Sequence, residues 1–156
     1  MAFTATSENM ERSAQHRTVT LYTVAAIVSL IGLADSIYLT VEHITGQSVR
    51  CTFSGCEEVL SSPYATILGQ PLALFGAVAY FTVFSLAILA AFRYPLVGKL
   101  LMLIVDLMFI TTLVLLYLQA FVIHHFCQFC LLSAAVTITL TALVFLAQRT
   151  SARSVF

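Results

Sequence analysis

The sequence predicts an all-α integral membrane protein: a bundle of four transmembrane helices with a short exoplasmic loop helix. Composition is the first observation behind this, because 60% of the 156 residues are hydrophobic and only 9% are charged. A soluble domain carries about 25% charged residues. The second is four apolar runs that reach or approach the ~20 residues a helix needs to cross the ~30 Å hydrocarbon layer. The third is a one-sided distribution of basic residues around those runs. In lipid every backbone polar group must be satisfied within its own segment, so the runs are helices and lone strands are excluded. A formal net charge of zero argues against nucleic acid as a partner.

Taken in order, residues 1–18 are polar and mixed in charge and predict a frayed cytoplasmic N-terminal tail. The apolar stretch behind them is longer than a signal-peptide core and lacks a small-residue cleavage pattern, so the first helix is expected to stay uncleaved. The spans are expected at Val19–Val41, Leu72–Phe92, Leu100–Val122 and Phe129–Ala147, making 19–147 one membrane domain and 148–156 a cytoplasmic tail. Arg12 and Arg17 precede the first span, Arg93 and Lys99 separate the second from the third, and Arg149 and Arg153 follow the fourth. Six of the seven Lys/Arg thus share one face, which the positive-inside tendency makes cytoplasmic, and only Arg50 lies opposite. With no Trp, an interfacial aromatic belt must come from the 6 Tyr and 12 Phe.

The opposite face holds the loop from Glu42 to Pro71 and the turn at His124–Phe126. Within the loop, Val59, Leu60, Tyr64, Ile67 and Leu68 are spaced as a short helix over the bundle mouth. Pro63 interrupts it, and Gly69 and Pro71 end it. Glu57 and Glu58 suit its first turn, where the helix dipole favours negative charge.

The four cysteines fall in two pairs, Cys51/Cys56 in the loop and Cys127/Cys130 opening the fourth helix. The topology puts all four on the exoplasmic side, where disulfides persist. Cys127-Gln-Phe-Cys130 places two sulfurs three residues apart on one helical face, at a helix start whose free N–H groups stabilise a thiolate. The loop pair is a five-residue step through Gly55, short enough to close a disulfide. Four cysteines allow three pairings, and thiolate attack through a mixed disulfide can move a bond between pairs. A redox relay uses both pairs. Two other readings stand beside it: static staples in a membrane scaffold, and a zinc site of four Cys or of Cys with His124 or His125. A bridge across one helical turn adds little loop-closure entropy, which counts against staples. Asp35 and Asp106 lie within spans, where an acid is expensive, and each is either a proton-handling group or an acid hydrogen-bonded between helices. His124 and His125 are candidate thiol bases or solvated interfacial residues.

The four cysteines, the segment CEEVLSSPYATILGQPLALFG from Cys56, the run YLQAFVIHHFCQFCLLSA, and GLADSIYLT in the first span resemble the vitamin K epoxide reductase family. The likeness runs from about residue 19 to 147. It implies a membrane thiol–disulfide oxidoreductase that passes two electrons from a thioredoxin-like, DsbA-type protein to a quinone such as menaquinone or ubiquinone. It further implies that Cys130 is the thiol beside the quinone, Cys127 its partner, Cys56 the loop cysteine that exchanges with Cys127, and Cys51 the cysteine the redox protein attacks. Ser62, six residues past Cys56, matches the family's hydroxyl that hydrogen-bonds the quinone. Leu72 and Ala134 replace an asparagine and a tyrosine of vertebrate members and favour a plain quinone over an epoxide. Phe53, Phe75, Phe126, Phe129 and Tyr64 are candidate pocket walls. Bacterial relatives often carry a fused thioredoxin-like domain; without one here, the resemblance implies a separate exoplasmic redox partner and no resident metal.

Overall fold

A computed structural model describes residues 2–46, 55–92 and 94–153. Helix α1 runs over Ala2–Thr45, α2 over Cys56–Leu60, α3 over Leu72–Ala91, α4 over Pro95–Tyr117 and α5 over Gln128–Arg153. Four helical stretches are long and apolar enough to cross a membrane: Arg12–Thr45, Leu72–Ala91, Leu96–Ile123 and Gln128–Ala152. The protein is therefore a helical, multi-pass membrane protein, as its composition predicts.

The ends of the elements depart from expectation for local reasons. Helix α1 continues back to Ala2, where a frayed tail was expected: no Gly or Pro interrupts residues 2–18, and Ala, Glu, Gln and Arg are good helix formers. Helix α4 starts at Pro95 rather than near Leu100, since proline at the first helical position loses no hydrogen bond and presets φ. At its far end α4 widens into a π-helical turn, Leu118–Ile123, closed by His124 with φ 58°.

The loop helix is shorter than its apolar spacing predicts. Helix α2 stops at Leu60, a 3₁₀ turn follows over Pro63–Ala65, and Thr66–Ile67 (β1) pairs antiparallel with Gln70–Pro71 (β2). Leu68 and Gly69 both have positive φ, the conformation of a type I′ hairpin turn. Pro71 then leads directly into α3.

Helix α1 packs chiefly against α3 and α5, with α4 against both of those. Small residues permit the close approach, as in other membrane helix pairs. A side chain at Gly32 would overlap the Tyr80 ring, and a Cβ at Gly76 would lie 3.0 Å from Ser36 Oγ. One half of the bundle is filled by a core that includes Tyr22, Ala25, Val83, Leu101, Leu140 and Val144. A second, smaller cluster of Cys56, Val59 and Cys127 lies apart from it, and the site is built there.

Candidate functional site

Gly55 brings the loop to the head of α5. It has φ +132°, and a Cβ on it would sit 3.2 Å from the Phe126 carbonyl oxygen and 3.3 Å from His125 Cβ. A conformation that L side chains avoid and a close backbone approach both call for glycine at this point. Docked in this way, Cys56 is 1% exposed and Cys127 is fully buried, in one cluster that also takes in Leu60, Ile123, Phe129 and Cys130. Cys56 is in a disulfide, whereas Cys127 and Cys130 are free thiols. Cys51 lies outside the described residues, as does Phe53.

Cys127 immediately precedes α5, and its carbonyl accepts the first helical bond, from Leu131 N–H at 3.0 Å. Its sulfur occupies the position from which an N-cap side chain accepts backbone N–H groups. The Cys130 side chain hydrogen-bonds it, and the backbone N–H groups of Cys130 and Phe129 point at it. The Cys130 bond is the largest cause in holding the Cys127 thiol well below its ordinary range, at about 6; burial opposes it, the two N–H groups reinforce it, and the charge of Asp35 opposes it. The motif's position at a helix start makes this thiolate legible from the sequence.

Gln119 has no such signal in the sequence. The π-helical turn carries it inward, 3% exposed. Its Oε1 accepts the Cys127 backbone N–H at 3.3 Å, and its side chain also hydrogen-bonds the Cys130 sulfur. Such turns recur at functional sites because one extra residue re-aims a side chain.

Cys130 opens onto a chamber of about 310 Å³, within the size range of small-molecule sites. Its apolar wall includes Leu39 from α1, Val59 and Leu60 from α2, Leu72 and Ala79 from α3, Met108 and Leu115 from α4, and Ala134 from α5. Leu72 and Ala134, the two departures noted in the sequence, are thus both part of this wall. Of the aromatic candidates, Phe75 and Tyr64 line it. Phe126 and Phe129 do not: Phe126 is half exposed beside the turn, and the Phe129 ring packs on Tyr38 with centroids 5.3 Å apart.

Polar side chains are interspersed in the wall. Ser62 lines the chamber, and its hydroxyl donates to the Val59 carbonyl at 2.7 Å. To donate into the chamber it must give up that bond. Tyr80 Oη lies 2.7 Å from Ser133 Oγ, 2.9 Å from Thr137 Oγ1 and 3.0 Å from the Ser133 carbonyl oxygen. Asp35 lines the chamber while Asp106 does not, and His124 and His125 are exposed outside it. Among the described residues no three His, Cys, Asp or Glu side chains converge as a metal site.

A helical membrane bundle that sets a dithiol between a disulfide and a chamber defines a class, a membrane redox protein. Residues 23–145 match the Vitamin K epoxide reductase family, and the chain belongs to that family.

Proposed function

We propose that the protein oxidises a reduced thioredoxin-like protein of DsbA type and delivers the electrons to a membrane quinone, so supporting disulfide bond formation. The observation that carries this reading is the placement of Cys130: its thiol borders the apolar chamber while its neighbour Cys127 packs against the disulfide-bonded Cys56. The chamber fits a quinone ring in chemistry as well as size, with a largely apolar surface and polar groups set within it. A quinone bound there supplies a sink for two electrons and two protons.

The sulfur steps follow from which atoms are neighbours. Cys51, the remaining cysteine of the chain, is read as the bonding partner of Cys56. A thiolate of the redox protein attacks Cys51 and releases Cys56. Cys56 attacks Cys127 of an oxidised Cys127–Cys130 pair, and Cys130 leaves as a thiolate. A second thiolate of the redox protein then resolves its mixed disulfide, and Cys56 returns to Cys51 as Cys127 is released. The loop disulfide is thereby restored and the helix pair is reduced, with two electrons moved. A disulfide at Cys56 beside free thiols at Cys127 and Cys130 supports this order of steps. Ser62, freed from Val59, is read as a hydrogen-bond donor to the acceptor. The termini are read as cytoplasmic and the cysteines as exoplasmic, on the distribution of Lys and Arg.

Quinone-dependent oxidation of a reduced thioredoxin-like protein by the purified enzyme tests the reading. Cys130→Ala should abolish quinone reduction. Retained turnover in that variant would remove Cys130 from the electron path and the reading with it.

A further inference from the structure

The relay leaves the acidic group of the chamber unused. Asp35 is 7% exposed on α1 and lines the chamber together with Cys130. Neither of its carboxyl oxygens has a hydrogen-bond partner among the described residues. An acid bonded between helices, one of the two readings open from sequence, needs a partner on a neighbouring helix, and none of the described side chains supplies it. Of the other polar groups of the wall, Tyr80 is engaged with α5, Ser62 with Val59, Thr111 with Leu107, and Gln119 with both helix cysteines. An unpartnered carboxyl in an apolar wall is costly, so Asp35 is placed to be satisfied by whatever enters the chamber. An ionisable group inside a membrane marks a functional site by default.

Forming the Cys127–Cys130 bond from the Cys127 thiolate and the Cys130 thiol releases two electrons and one proton, and a quinone needs two of each. We propose that Asp35 is a catalytic residue of this half-reaction, hydrogen-bonding a carbonyl oxygen of the quinone in the chamber and giving it a proton. The proposal rests on the quinone reading above. Asp35 gives one proton and is restored by the one that leaves the Cys130 thiol; the second oxygen takes its proton from water at the exoplasmic mouth, where Cys127 had already lost its own. Two electrons thus leave the sulfurs and two protons reach the acceptor, one from Cys130 by way of Asp35 and one from water, and Asp35 ends as it began. The titratable groups sharing the chamber with it are Tyr80 from α3, Cys130 from α5, Tyr64 from the loop and His43 from α1 itself, while α4 contributes none.

The test uses the full chain in detergent, reduced and freed of reductant, with a short-tailed benzoquinone as probe. Single-turnover quinone reduction by Asp35→Asn should be slower than wild type by roughly 10²-fold at saturating quinone, the lower range for a lost general acid. Asp35→Glu should recover part of the rate. Infrared difference spectra should show a carboxylic-acid C=O band that is absent in Asp35→Asn and moves when quinone binds to the wild type. An Asp35→Asn rate close to wild type, a loss of quinone affinity alone, or a band that quinone leaves in place each overturns the proposal. Both variants should still accept electrons stoichiometrically from a reduced thioredoxin-like protein. If Asp35→Asn fails to do so because it misfolds, Asp35→Glu and the wild-type band shift decide. A wild-type enzyme that accepts those electrons and passes none to any quinone gives a different pattern: the quinone reading fails first, and the role of Asp35 falls with it.

Discussion

The reduction potential of the Cys127/Cys130 pair should change its pH dependence near pH 6. With the Cys127 thiol held at about 6, against ~8.5 for an ordinary thiol, only the reduced pair gains from ionisation, since a disulfide does not titrate. At pH 7 the gain is RT ln(1 + 10), about 1.4 kcal/mol, which for two electrons is roughly 30 mV in favour of the dithiol. The sign follows from the lowered value: the gain is present above pH 6 and is lost as pH falls through it. Below the break, reduction takes up two protons and the potential falls by ~59 mV per pH unit; above it one proton suffices and the slope is ~30 mV. Equilibration of a Cys51→Ser/Cys56→Ser variant with thiol redox buffers from pH 5 to 8.5, read by alkylation and mass shift, measures this directly. A single slope of ~59 mV across the whole range would mean that the N-cap donors leave the sulfur protonated, and the reasoning about Cys127 would be wrong.

Three other outcomes test the surrounding geometry. Gly55→Val must adopt φ +132° and press on the Phe126 carbonyl; with ~1–3 kcal/mol of strain, trapping of a Cys56–Cys127 mixed disulfide in a Cys51→Ser/Cys130→Ser background should slow by about tenfold or more. Trapping at the original rate would show that the loop does not dock through this residue. Tyr80→Phe removes a phenol that serves Ser133 and Thr137, and the unfolding free energy should drop by about 1–3 kcal/mol; an unchanged denaturation midpoint counts against that network. Gln119→Leu takes the acceptor from the Cys127 N–H, so hydrogen exchange at that amide should accelerate, and retained protection would refute the contact.

The spans are legible in the sequence because bilayer thickness imposes a length and a composition, and Leu72–Ala91 starts where the run preceded by Pro71 says it should. The head of α5 is equally legible: a C-x-x-C at a helix start implies capped sulfur whatever the fold. Gln119 is not, because it sits in an apolar run whose helical phase changes only through a π-helical turn that no periodicity announces. The hairpin at Thr66–Pro71 is hidden for a related reason. Ile67 and Leu68 extend a helical pattern, and only the positive φ of Leu68 beside Gly69 turns the chain back. Phe126 and Phe129 mislead as wall candidates because proximity in sequence to Cys127 says nothing of which way a ring points. Asp35 and Asp106 are indistinguishable as intramembrane acids until the bundle places one on the chamber and the other off it.

The same contacts also bear on the direction of electron flow. A thiolate at Cys127 packed with the disulfide-bonded Cys56 is a nucleophile beside its own substrate, so the forward exchange and its reversal meet the same short path. Geometry alone therefore sets no direction. Stabilising the reduced helix pair, as the Cys130 hydrogen bond and the N-cap donors do, raises its potential and pulls electrons out of the loop pair; the same stabilisation makes those electrons harder to pass on. The two demands are reconciled only if the chamber accepts them at a higher potential still, and ~30 mV at each handover already gives a tenfold bias. A low pKa at Cys127 and an oxidising acceptor beside Cys130 are thus coupled requirements. A variant that restores an ordinary thiol at Cys127 should load electrons poorly from the loop yet discharge them more readily into the chamber.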